Sequence, residues 1–273
     1  MDASVPGDAV ARAYDRWRGA MHAPAISRRT AAANAAFFLP HLTAGMALLD
    51  LGCGPGSITA GLAEAVAPGT VTGLDISPAT VASARAAYGG TPGLSFTIGD
   101  ASALPFADAI FDAVFAHALL QHAHSPAAVV REAFRVLRPG GVIGLADADH
   151  GGSLIAPETP ALRASLDLMV RVQALRGGDY HVGRSLGLLL ADAGFTDIGV
   201  SVVGGCDGTP AVRTRAAERQ AALLTGEPFA AYVEAAGLET RSGLAAMAEA
   251  WQTWGATPGA TWTRCWFQAT AKR

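Results

Sequence analysis

Residues 47 to 59, Ala-Leu-Leu-Asp-Leu-Gly-Cys-Gly-Pro-Gly-Ser-Ile-Thr, restrict the possible folds more than any other stretch of the chain. An apolar run from Met46 to Leu51, interrupted only by Asp50, gives way to Gly52, Gly54 and Gly56, and the pattern then predicts a helix over 57–66. Strand, glycine turn and helix follow in that order. Glycine supplies the positive φ of a sharp turn and leaves no Cβ where a ligand approaches the backbone. Taken alone, the same pattern suits a loop that merely turns the chain.

The following segments favour the ligand reading. Residues 69–77 read as a second strand finishing in Asp75, which lies 19 positions after Gly56. An acid at about that distance accepts hydrogen bonds from the two ribose hydroxyls of a nucleotide-type ligand. Asp100 follows a third strand-like run, 94–98, and a helix over 78–88 with Ser77 as N-cap joins the two strands. Parallel crossovers are right-handed and ligands sit at the carboxyl ends of such strands, so Asp50, Asp75 and Asp100 should converge on one crevice.

Further strands are expected at 111–117, 142–147, 195–203 and 261–271, with a helix over 126–137 capped by Ser125 and a sheet-covering helix over 183–193. The alternation of residues 261–271 suits a last strand joining the sheet antiparallel. The fold class is therefore α/β: a doubly wound, seven-stranded, mostly parallel, Rossmann-like sheet. We expect a single domain over 1–273, with an N-terminal helical segment (1–45), a core (46–147) and helical insertions at 148–182 and 204–260 forming a cap. In the N-terminal segment helices are expected over 8–17 and 27–39. Tyr14, Trp17, Met21 and His22 form a cluster there, read either as part of a lid or as anchors of a helix on the core. Arg28 and Arg29 read as a solvated face or as a reach towards an anionic group. In the first insertion Leu166, Met169, Val170 and Gln173 mark one helix face, and Met247, Trp251 and Trp254 in the second read as core packing.

A hydrophobic fraction of 51% over 273 residues supports a sizeable core, and a net charge of −3 gives no electrostatic footprint for nucleic acid. Cys53, Cys206 and Cys265 stand at unrelated spacings, which argues against a disulfide framework. No apolar run approaches the length of a membrane span, and the first residues lack a basic stretch followed by an apolar one. The expectation is a cytoplasmic protein, monomeric or homodimeric, acting on a small molecule.

Six ordered segments resemble the class I S-adenosylmethionine-dependent methyltransferases: Leu-Asp-Leu-Gly-Cys-Gly-Pro-Gly (49–56), Gly-Leu-Asp-Ile-Ser (73–77), Gly-Asp-Ala…Leu-Pro-Phe (99–106), Phe-Asp-Ala-Val (111–114), Leu-Gln-His (120–122) and Arg-Val-Leu-Arg-Pro-Gly-Gly (135–141). The resemblance is closest to the branch of ubiquinone and menaquinone methyltransferases and covers residues 8 to 150 best. It implies S-adenosylmethionine as cofactor. Asp75 with Ile76 would hold the ribose, Asp100 and Ala101 the adenine edge, and Gly52, Cys53, Gly54 and Gly56 the methionine part. Asp50 would attract the ammonium or simply tie the loop, and His117 and Gln121 would border the cofactor.

Methyl transfer is an in-line displacement, and a general base is needed only when the acceptor carries a proton of high pKa. Candidate bases are His117, His150 and His22, in that order. Asp147 and Asp149, with Tyr14, Trp17 and His22, are candidates for orienting the acceptor, a part-apolar secondary metabolite or quinone-like ring methylated on oxygen, carbon or nitrogen, with oxygen or carbon ahead. No metal is expected: His117, His122, His124 and His150 lack the paired spacing of a zinc site. Cys53 presents its backbone and is not read as a nucleophile. Competing readings are an enzyme of this fold that uses the cofactor for cyclisation or decarboxylation, a nicotinamide-dependent oxidoreductase, and a non-enzymatic binding module. Pro55, which lacks an N–H for a diphosphate, disfavours the oxidoreductase.

Overall fold

The computed structural model describes residues 29–273. The expected helix over 8–17 and the cluster of Tyr14, Trp17, Met21 and His22 lie outside the described residues. The described chain forms two compact units, one from 29–149, 177–203 and 266–273, the other from 150–176 and 204–265.

Five parallel strands carry the first unit. In spatial order they are β3 (Leu94–Ile98), β2 (Thr70–Asp75), β1 (Ala47–Leu51), β4 (Phe111–His117) and β5 (Leu137–Asp149). Beyond β5 the sheet continues with β8 (Thr261–Lys272), which also pairs with β7 (Thr196–Cys206). The last strand is antiparallel. An eighth, two-residue strand, β6 (Ile155–Ala156), pairs antiparallel with the start of β8 and has no counterpart in the sequence expectation.

Alternation along the strands explains why helices cover both faces. On β1, Leu49 and Leu51 join Val114, Ile143 and Leu145 under Val129, Val130, Ala133 and Val136 of the helix Pro126–Val136. Leu48, with Val71, Ala113 and Phe115, packs the opposite face against Ile58, Leu62 and Val66 of the helix Ser57–Val66 and Val81 and Ala84 of the helix Pro78–Tyr88. A strand buried on both faces reads as a near-continuous apolar run. Ser77 and Ser125 cap their helices through Oγ, which accepts Thr80 N and Ala128 N, each at 3.3 Å.

Before β1 the expected helix over 27–39 shortens to Ala31–Asn34, with a 3-10 turn at Leu39–His41. Thr30 Oγ1 accepts Ala33 N at its start, and Phe38 turns into the core to stack on Phe115, their ring centres 5.5 Å apart. Burying that ring outweighs continuing the helix.

The second unit contains the helices Pro160–Ala174, Pro210–Thr225, Glu227–Ala235 and Arg241–Ala256. On the first of these the buried stripe is Leu162, Ser165, Leu168 and Val172; of the expected face Gln173 is buried and Leu166 and Met169 pack half-buried against the same cluster, which is centred one side of the expected stripe. The reason lies opposite: Trp251 Nε1 donates to Ser165 Oγ at 2.8 Å, which fixes that side inward. Met247, Trp251 and Trp254 are core residues, as their spacing predicted.

Candidate active site

The glycine turn leaves β1 over the end of β2. Gly52 N and Cys53 N both donate to Leu74 O, at 2.7 and 3.0 Å. Gly52 has φ +69° and Gly56 φ +86°, and a Cβ added to either would lie 2.9 Å from the Leu119 side chain or the Phe96 ring. Both positions therefore require glycine.

Asp75, half-buried at the end of β2, ties this turn in place. Its Oδ2 accepts Gly54 N at 3.1 Å and its Oδ1 accepts Ser77 N at 2.9 Å. Ile76 beside it is 59% exposed. Asp100 is exposed, and its Oδ1 accepts the Ser102 N–H and hydroxyl at 2.8 and 2.7 Å, bonds that hold the carboxyl below its usual range. Ala101 is buried beneath it. Asp50 is buried on β1 and accepts Thr59 Oγ1 at 2.6 Å, while burial, helped by Asp75, pushes it up to about 7. Burial also pushes the Cys53 thiol up, which removes it as a nucleophile at neutral pH.

The ends of β4 and β5 are built differently. The His117 ring stacks on Trp266, with centres 4.9 Å apart and planes 22° apart. Asn34 Nδ2 lies 3.2 Å from its Nε2 and Arg29 Nη1 3.5 Å from its Nδ1. Asn34 Oδ1 already accepts Thr30 N, so its NH₂ group faces the imidazole. Burial, then the Arg29 charge, lower His117 to about 3. The imidazole is neutral at pH 7 and a poor proton acceptor, which corrects its expected place as first candidate base.

Asp147 and Asp149 are also corrected. Asp147 is fully buried, with Oδ2 accepting Leu120 N at 3.0 Å and Oδ1 accepting Gln121 N at 3.2 Å, and burial pushes it up to about 7. Asp149, equally buried, receives Arg184 Nε and Nη2 at 2.5 and 2.7 Å. Both acids hold the chain rather than stand free to orient an acceptor. Gln121 is buried in the 3-10 turn Leu120–His122, and its Nε2 lies 3.2 Å from His122 Nε2. His150 begins the turn His150–Gly152 in the other unit. His22, Tyr14 and Trp17 lie outside the described residues. No group of three His, Cys, Asp or Glu arranged to hold a metal occurs among the described residues.

Arg29, Asn34 and Trp266 were not singled out from sequence as neighbours of His117. The available signal was the alternation of Trp262, Arg264 and Trp266 along β8, which announces large side chains on one strand face without saying what they meet.

Residues 49–145 match the methyltransferase domain family. The chain is 32% identical over 182 residues to a trans-aconitate 2-methyltransferase of Methylobacterium radiotolerans, covering 67% of this chain and 66% of that one. It is 31% identical to a probable phthiotriol/phenolphthiotriol dimycocerosates methyltransferase 2 of Mycobacterium ulcerans, covering 62% of this chain and 67% of that one. Among solved structures, the YcgJ protein of Bacillus subtilis superposes with a TM-score of 0.58 at 18% identity, over 89% of this chain and 99% of the other, a likeness of fold. Two further relatives, 37% and 35% identical, are matched over 44% and 52% of their length, so the chain spans about half of these curated relatives. The chain belongs to the S-adenosylmethionine-dependent methyltransferases.

The residues present fit that family's cofactor. A positive-φ glycine turn follows the first strand, an acid terminates the neighbouring strand and accepts a backbone N–H of that turn, and an exposed aliphatic side chain adjoins it.

Proposed function

We propose that the chain transfers a methyl group from S-adenosylmethionine to a small, part-apolar molecule, on oxygen or carbon in preference to nitrogen. Asp75 carries this reading. A carboxylate offers about four lone-pair sites, so Asp75 can accept the two ribose hydroxyls while it still holds Gly54 N and Ser77 N. Ile76 offers an apolar face to the adenine, and Asp100 with the Ala101 backbone reads its edge. Gly52, Cys53, Gly54 and Gly56 line the methionyl part, with Asp50 on the ammonium side. His117 and Gln121 wall the far end.

When bound, the cofactor supplies a methyl group on a sulfonium sulfur. The chain's own part is to align donor and acceptor and exclude water, contributions that reach on the order of 7–11 kcal/mol in favourable cases. Neutral His117 stacked on Trp266 is a wall of the crevice and not its base. Selection of the acceptor is assigned to residues outside the matched 49–145, in particular 148–182 and 204–260. Relatives named for trans-aconitate and for phthiotriol dimycocerosates support a small-molecule acceptor, and the motif resemblance favours a quinone-like ring.

The test is incubation with methyl-labelled S-adenosylmethionine and a panel of phenols, quinols, carboxylic acids and amines. S-adenosylhomocysteine release with label on oxygen or carbon is expected. Binding of the cofactor with no homocysteine product from any acceptor would move the case to a cyclisation or decarboxylation.

A further inference from the structure

The second unit holds a cluster of charges that the methyl-transfer reading does not use. Asp207, the residue after β7, is buried beside the start of β8, where its N–H donates to Trp262 O at 2.8 Å. Its Oδ1 accepts Arg264 Nη2 at 2.7 Å. Its Oδ2 is buried and has no hydrogen-bond partner among the described residues. Trp262 is buried as well, and its Nε1 likewise has no partner among the described residues. The Arg264 guanidinium lies 5.5 Å from the centre of that indole. Arg219, on the helix Pro210–Thr225, completes the cluster: desolvation, then the Arg264 charge, lower its pKa, and Asp207 raises it. Arg213, buried on the same helix, differs in that its Nε donates to Gly255 O at 2.9 Å and its Nη1 to Gly208 O at 3.5 Å, which makes it structural.

The polar atoms define what fits. A buried carboxylate oxygen without a donor and a buried indole N–H without an acceptor each cost about 1–3 kcal/mol. A hydroxyl answers both, because it donates through its hydrogen and accepts through a lone pair. Arg219 and Arg264 against Asp207 leave one positive charge over, which a monoanion balances and a phosphate dianion exceeds. A carboxylate is the planar monoanion that the guanidinium fork matches. The Arg264 side chain is 41% exposed and lies over the indole, so its rotation opens the two sealed atoms to a ligand.

We propose that this cluster binds an α-hydroxy acid, with the hydroxyl between Asp207 Oδ2 and Trp262 Nε1 and the carboxylate on Arg219 and Arg264. Such a group arrives either as part of the methyl acceptor or as a separate small acid.

The test follows the indole N–H signals of the isotope-labelled protein by NMR, with the Trp262 signal assigned by its loss in Trp262→Phe. Lactate is titrated into the intact protein and into Arg219→Ala, beside propionate, which has the same carbon skeleton without the hydroxyl. The Trp262 signal should shift saturably with lactate, propionate should bind at least roughly 10-fold more weakly, and Arg219→Ala should weaken lactate roughly 10-fold. The remaining indole signals report whether the variant keeps its fold. If lactate leaves the Trp262 signal unmoved, a buried water is the partner of both atoms and the proposal falls. Equal affinity for the two acids, or undiminished lactate affinity in a folded Arg219→Ala, overturns it too. Label recovered on lactate after incubation with methyl-labelled S-adenosylmethionine assigns the site to the acceptor, and binding without transfer assigns it to a separate acid. The titration needs no cofactor, so failure of the S-adenosylmethionine reading would leave its outcome intact.

Discussion

The two halves of the sheet's carboxyl edge use the same residue types to opposite ends. At β1, β2 and β3 the acids become progressively more open, from buried Asp50 through half-buried Asp75 to exposed Asp100, and two of them hold the turns that frame the crevice. At β4 and β5, Asp147 and Asp149 are sealed and engaged by Leu120 N, Gln121 N and Arg184, and His117 is stacked on Trp266 with Asn34 and Arg29 at its ring nitrogens. A polar residue at a strand end is therefore not by that fact a ligand contact. What separates Asp75 and Asp100 from Asp147 and Asp149 is exposure, and by that measure Asp50 belongs with the sealed acids.

Asp147→Ala should have the largest effect. It leaves two buried backbone N–H groups without an acceptor, a cost of about 2–5 kcal/mol, and should lower the melting temperature strongly while releasing the loop that bears Gln121. A change within the range of a surface substitution would break the contrast. Gly52→Ala comes next. A φ of +69° with Leu119 2.9 Å from the new methyl costs about 1–2 kcal/mol, so chemical denaturation should shift by that amount and cofactor affinity should fall with it.

Titration sharpens the contrast further. Asp50 and Asp147 are both pushed up to about 7, so the folded state binds their protons more tightly than the unfolded chain does. Their contribution to stability is full below the ordinary carboxylate range and is lost as pH rises through about 7. Each group gives a slope of at most about 1.4 kcal/mol per pH unit. Melting temperatures measured from pH 5 to pH 8 should fall on this account, and Asp50→Asn should flatten the fall; an unchanged slope in that variant would show that Asp50 does not contribute. Asp100→Ala, an exposed acid whose bonds are all to Ser102, should be the mildest change, weakening S-adenosylhomocysteine only a few-fold with no shift in melting temperature.

The legible half of the edge is the one built from neighbours in sequence. Gly52 to Gly56, Ser77-Pro78 and Ser125-Pro126 are punctuation read by local rules, and the helices Ser57–Val66 and Pro78–Tyr88 begin and end where those residues place them. Asp75 is legible for the same reason, since its partners Gly54 and Ser77 lie within one crossover. The other half depends on pairs far apart in the chain. Trp266 stacks on His117, and Arg184 reaches Asp149, across separations that no periodicity records. The same cause hid the inward face of the helix Pro160–Ala174, which is chosen by Trp251. Asp147 stands at a strand end like the others, but only its burial and its bonds to Leu120 N and Gln121 N reveal that it serves the loop.

The most direct measurement is calorimetric titration of S-adenosylhomocysteine into the intact protein and into Asp75→Ala, with melting temperatures recorded for both. Micromolar binding is expected in the intact protein. In the variant it should be weakened at least roughly 10- to 100-fold, by loss of the two ribose hydrogen bonds together with the tie to Gly54 N and Ser77 N, with the fold retained. Undiminished affinity in a folded Asp75→Ala variant, or no binding by the intact protein, would contradict the assignment of the open half of this edge to the cofactor.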